Sequence, residues 1–155
     1  MSVYTSAGTK FSVSAAAPAA YTQAGYEALA FTEVGEVSDL GDLPERVYEV
    51  VSWRNIANRG ETKAKGGYTL GSQTITVGID PDDAGQDLLD TLSRSDDPAS
   101  IAFEHPSLGT IYGRALVMGG ARSYGDVNTI ATRQVTLEWT IVSQDNDGIV
   151  HAPAG

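Results

Sequence analysis

The sequence predicts a mostly β protein, a β-sandwich or barrel with one flanking α-helix, and three observations predict it. Apolar and polar residues alternate strictly in several segments. Only one segment has helical spacing, and it follows a strand instead of alternating with strands as βαβ units would. The chain has 155 residues, a length that predicts one domain able to bury most of its apolar surface without staples.

Residues 1–24 are rich in Ala, Ser and Thr, with a single charge at Lys10 and no clear period. They read as an extended N-terminal arm, mobile in isolation. Residues 25–144 form the compact domain, and 27–34 is a short strand candidate. The run RVYEVVSW, residues 46–53, is β-branched and aromatic. Residues 54–71 lack any period and carry Gly60, Gly66, Gly67 and Gly71, so they read as a long functional loop. In QTITVGID, Ile75, Val77 and Ile79 alternate with Thr74, Thr76 and Gly78, the pattern of a strand.

The helix is expected over 80–92. Asp80 can cap it, Pro81 suits the first helical position, and Asp82 and Asp83 put negative charge at the positive end of the dipole. Ala84, Leu88, Leu89 and Leu92 recur at helical spacing, and Asp96-Asp97-Pro98 stops the run. A short strand follows at 101–104, then a less regular one at 110–118, consistent with burial on both sides. The clearest strand is 133–142: Val135, Leu137, Trp139 and Ile141 share one face, and Gln134, Thr136, Glu138 and Thr140 the other. Residues 145–155 read as a loop-like C-terminal tail.

Composition removes several function classes. There are no cysteines, so no disulfide framework and no thiol chemistry. Two histidines, His105 and His151, are too few for a His-rich metal site. No apolar run approaches the ~18 residues of a spanning helix, so no membrane partner is expected. The first twenty residues lack a charged start followed by an apolar core, and the chain is expected to stay in the cytoplasm where it is made. Twenty Asp and Glu against ten Lys and Arg give a net charge of −10, which opposes tight, sequence-independent binding to nucleic acid.

Candidate chemistry is sparse. The acids around Asp80, Asp82, Asp83 and Asp87 have Ala84 and Thr91 where a calcium loop needs oxygen ligands, so helix capping explains them better. Asp145, Asn146, Asp147 and Gly148 also lack a closing Glu, and read as a turn. Phosphate-loop spacing, a nucleophile elbow and a His–Glu metalloprotease motif are all missing. No catalytic residue, cofactor or metal is expected, and the chain reads as a non-enzyme. Trp139 belongs to the core. Trp53, where a strand enters the long loop, is a candidate contact with another subunit.

Charge patterning supplies the positive signal. Residues 54–71 hold Arg54, Arg59, Lys63 and Lys65 against Glu61, whereas 33–49 hold six acids against Arg46. A basic and an acidic segment on one small chain point to self-association.

The order of these features resembles the tail tube proteins of long-tailed bacteriophages. An acidic strand-turn region (FTEVGEVSDLGDL) leads into YEVVSW, a Lys/Gly-bearing loop (ETKAKGGYTLGSQ), a Thr/Ile/Val strand and the helix DPDDAGQDLLDTL. The later strands IAFEHPSLGTIYGRALVMGG and TRQVTLEWTIV fit the same plan, so the resemblance spans residues 25–143. It implies a structural virion protein that stacks as rings, usually hexamers, into the tube through which DNA leaves the particle. It implies a virion-tail location, with assembly in the host bacterial cytoplasm. Its partners would be its own copies and the tape measure, terminator and distal tail proteins, with DNA passing without tight binding. Residues 54–71 would be the stacking loop, with Trp53, Arg54, Arg59, Glu61, Lys63, Lys65 and Tyr68 between subunits. Thr74, Thr76, Gln134, Thr136, Glu138 and Thr140 would face the lumen, and 1–24 would reach an adjacent ring. The inner tube of a contractile tail or secretion system is an alternative, as is a small β-barrel enzyme or ligand-binding module.

Overall fold

The computed structural model describes residues 2–154; Met1 and Gly155, the ends of the expected arm and tail, lie outside the described residues. Eleven strands and two helices run in the order β1 (Lys10–Ser14), α1 (Gln23–Glu27), β2 (Thr32–Val34), β3 (Val37–Asp39), β4 (Val47–Trp53), β5 (Thr62–Thr69), β6 (Ser72–Gly78), α2 (Ala84–Ser93), β7 (Ala99–His105), β8 (Gly109–Gly119), β9 (Arg122–Ser123), β10 (Thr132–Trp139) and β11 (Val150–Ala152). The fold is mostly β, as the alternation predicts.

Nine strands form one antiparallel sheet in the order β2-β1-β7-β8-β10-β6-β3, with β11 beside β8 and β9 beside β10. Its two edge strands, β2 and β3, are consecutive in the chain and separated only by Gly35 and Glu36, so the sheet must curl until its edges approach. Helix α2 clamps that corner. Asp83 Oδ2 accepts from the Gly35 N–H at 3.1 Å, and the Gln86 amide donates to the Gly35 and Gly78 carbonyls at 3.2 and 2.8 Å. A Cβ on Gly85 would sit 2.2 Å from the Glu33 carbonyl oxygen, so only glycine lets the helix approach β2 this closely.

The concave face holds the main core. Phe11, Val13, Ile75, Val77, Ile101, Phe103, Val117, Val135, Leu137 and Trp139 pack there with Leu89 and Leu92 of α2. A second, smaller layer covers half of the opposite face, where Tyr26 of α1 stacks on Tyr112 beside Ala102 and Ala152. Arg114 staples that layer down. It donates to the carbonyls of Ala16 and Pro98 and to Ser100 Oγ.

Several expected boundaries change. Residues 10–14 of the expected arm are β1, paired with β2 and β7, because Phe11 and Val13 find core on one face and ladder partners on both sides. Residues 23–27 are a helical turn capped by Thr22, so the strand expected over 27–34 is confined to β2 at Thr32–Val34. Within 54–71, residues 62–69 are strand β5, ordered by its ladder with β4, and only 54–61 form a turn. The expected tail contributes β11, registered against Tyr112, Ile111 and Thr110 of β8. Helix α2 starts at Ala84 with Asp83 as its cap. Asp80 instead closes a local turn by accepting from the Asp82 N–H.

Candidate functional site

Strands β4 and β5 form a separate two-stranded sheet, joined to β3 through residues 40–46 and to β6 through Leu70 and Gly71. Every residue of β4 is exposed, and Leu70 is the first buried position after the hairpin. A bulge sets two glycines, Gly66 and Gly67, opposite Glu49, where a Cβ on Gly66 would meet Val51 at 2.7 Å.

The ladder sorts the side chains onto two faces. Val47, Val51 and Trp53 lie on one, with Ala64 opposite Val51 and Thr62 opposite Trp53. These apolar groups face water: Val47 is 64% exposed, Val51 54% and Trp53 73%. Tyr48, Lys65 and Tyr68 lie on the other face. The Lys65 ammonium sits 4.9 Å from the Tyr48 ring centre and the Arg46 guanidinium 4.5 Å from that of Tyr68. Tyr68 Oη is buried and lacks a hydrogen-bond partner. Arg54 and Glu61 pair across the turn at 3.5 Å, an exposed contact of little energetic weight. Arg59 and Lys63 are exposed nearby, and Ile56 at the tip is fully exposed. The hairpin therefore brings together all seven residues expected between subunits.

Arg46 at the hairpin's root escaped that expectation. Its Nε donates to Asp147 Oδ2 at 2.6 Å and its Nη1 to Tyr48 Oη at 3.2 Å, tying the root to the loop before β11. The hydrogen bond to Asp147, and next that to Tyr48, raises the guanidinium's pKa further above its ordinary value. The alternation of Arg46 with Tyr48 was visible in RVYEVV. Its partner Asp147, 101 residues away, was not.

The polar face expected to line a channel is contiguous across two strands. Gln134 pairs with Thr76, Thr136 with Thr74, and Glu138 with Ser72. Thr140 lies one residue past β10, its N–H donating to the Arg114 carbonyl at 3.0 Å. This face continues through Leu116, opposite Glu138, toward the half covered by α1. Glu138 is its single carboxylate on β6 and β10.

Trp139, on the core face, is 4% exposed, and its indole N–H donates to Gln73 Oε1 at 3.1 Å, as a buried tryptophan requires. His105 closes the β7–β8 turn. Its Nδ1 accepts from the Ser107 and Leu108 N–H groups, leaving Nε2 as the protonated nitrogen that donates to the Thr5 carbonyl at 2.7 Å.

No family model matches the chain, and no curated protein matches it. Among solved structures, a chain of the cryo-EM structure of the anti-feeding prophage (AFP) baseplate, 6-fold symmetrised, is similar. The TM-score is 0.58 and the identity 14%, over 84% of this chain and 85% of that chain. At that identity the two chains share a fold.

Proposed function

We propose that this chain is a structural protein of a phage-like tail. It assembles with copies of itself into stacked, six-fold rings that form the tube DNA passes through, and it carries no enzymatic site. The observation that carries the reading is the β4–β5 hairpin. A lone two-stranded ribbon is marginal in water, yet this one holds Val47, Val51 and Trp53 in solvent with two unpaired edges. A neighbouring copy would cover both. The Thr74, Thr76, Gln134, Thr136 and Glu138 face suits a channel wall, because neutral hydroxyls and an amide with one repeated carboxylate offer phosphate no positive charge to neutralise it. The expected partners at the tube ends remain the tape measure, terminator and distal tail proteins.

The fold shared with a chain of the AFP baseplate structure favours a second reading, a ring that closes a baseplate instead of repeating along a tube. The two differ in product. A tube protein forms filaments of varied length, and a baseplate ring forms discrete discs.

The test replaces residues 49–67 by Asn-Gly, joining Tyr48 to Tyr68, which already face each other across the ladder. No residue of the excised stretch is buried. The variant should keep its melting temperature and lose filaments or discs in negative-stain images. Persistent assembly without the hairpin would remove the reading.

A further inference from the structure

Resting on that reading, we infer that the receptor for one copy's hairpin tip is the opposite pole of the next copy, centred on the connection at 120–131, which holds the short strand β9 and the loop from Tyr124 to Ala131. The sheet register places the two features at opposite ends. Strand β6 enters from the hairpin at Ser72 and ends at Gly78, where it pairs with Thr132, the first residue of β10. The connection at 120–131 immediately precedes Thr132, so the length of β6, roughly 20 Å, separates it from the hairpin's root.

That loop is rigid and apolar together. Asp126 accepts from the Asn128 N–H and the Thr129 hydroxyl at 2.9 Å each, and its carbonyl from the Thr129 N–H at 3.1 Å. Gly125 supplies the positive φ of +60°, and the loop ends are held by Gln134 N–H to the Ala121 carbonyl and Ile79 N–H to the Ala131 carbonyl. On this fixed frame Val127 is 99% exposed, Ile130 81% and Tyr124 63%. The loop presents these apolar groups to water, and burying them rewards association.

Charge selects the occupant. At this pole Asp80, Asp87 and Asp90 line one cavity with Arg122 and Arg133, and Asp126 and Glu36, whose carbonyl accepts from the Gly78 N–H, leave five acids against two arginines. The hairpin tip presents apolar Trp53 and Ile56 flanked by Arg54, Arg59 and Lys63 against Glu61 alone. Apolar centre meets apolar centre, and a basic rim meets an acidic one. Because the surfaces differ and lie at opposite poles, the contact is head-to-tail and does not close on itself as a two-fold dimer would.

The chain has no cysteine, which permits a direct test. Purified Ile56→Cys protein is mixed with Val127→Cys protein under mild oxidation, and the crosslinks are read on non-reducing gels. The heterodimer should dominate, and the double variant should give a ladder of multimers. Mainly Ile56–Ile56 homodimers, or no crosslink at concentrations where unmodified protein assembles, would overturn the assignment. Where no assembly occurs at any concentration, absence of the heterodimer at the highest concentration overturns it too. Separately, Val127→Asp with Ile130→Asp should raise the critical concentration for filaments about tenfold or more, with the melting temperature unchanged. If this variant polymerises like unmodified protein while the hairpin excision does not, the receptor is elsewhere and the hairpin reading stands.

Discussion

Gln73→Leu probes the joint between the core and the hairpin's root. Gln73 is 2% exposed and spans two groups: its amide donates to the Leu40 carbonyl at 2.6 Å, and its oxygen accepts from the Trp139 indole at 3.1 Å. Leucine keeps the approximate volume and strands both partners. A buried unsatisfied group costs about 1–3 kcal/mol. Leu40 is half-buried and recovers part of that from water, whereas the Trp139 N–H, enclosed by core, does not. Allowing for the apolar gain of leucine, the net loss is about 1–2 kcal/mol. With a urea slope of about 2 kcal/mol/M, the unfolding midpoint should fall by about 0.5–1 M at unchanged slope. Circular dichroism in urea measures it. Trp139→Phe and the double variant complete a cycle whose coupling should be about 1 kcal/mol, since each change removes the same bond. A midpoint shift under about 0.25 M would refute the argument that this bridge ties β6, β10 and the hairpin root together.

Three further outcomes follow from the same geometry. Gly85→Ala drives a Cβ into the Glu33 carbonyl and the Val34 Cα, both backbone. Helix α2 must retreat at a cost of about 1–3 kcal/mol, and an unchanged thermal melt would contradict the close approach. Burial pushes the Tyr26 phenol pKa up from 10.0, with the Arg114 charge opposing. Folding therefore favours its neutral form, so this contribution is complete below pH 10 and is lost as pH rises above it. Tyr26→Phe should flatten that alkaline limb, and it should cost about 1 kcal/mol at neutral pH through the lost bond to the Gly148 carbonyl; an alkaline limb as steep as before would count against the assignment. Glu138→Lys should leave stability within about 0.5 kcal/mol and permit assembly yet slow DNA passage, and normal genome delivery would take Glu138 off the channel wall.

Local pattern carried the reading wherever one face of an element is buried and the other wet. The alternation in β10 and β6 placed Val135, Leu137, Trp139, Ile75 and Val77 inward, and all are buried, whereas Ile141, expected on the same face, lies past the end of β10 at Trp139 and is 42% exposed. The same alternation put Gln134, Thr136 and Glu138 on one wet face and Thr74 and Thr76 on another; the resemblance joined the two, and the β6–β10 register makes them neighbours. Helix α2 was legible from its leucines, but its cap was not. Four aspartates crowd that start, and the choice of Asp83 depends on the Gly35 N–H, which belongs to a corner 48 residues earlier.

Chemistry within the chain thus determined the fold class, the polar face and the basic character of residues 54–71. Those properties come from side-chain period and charge, which neighbours in sequence express by themselves. Tertiary structure decided that KFSVS is a strand inside the sheet, that TKAKGGYT is half a projecting ribbon, that Arg46 meets Asp147, and that the hairpin and the connection at 120–131 occupy opposite poles. Each of these depends on hydrogen bonds or contacts between residues distant in the chain. KFSVS alternates over only two apolar residues and TKAKGGYT has none of that pattern, too little from which to read such a partner.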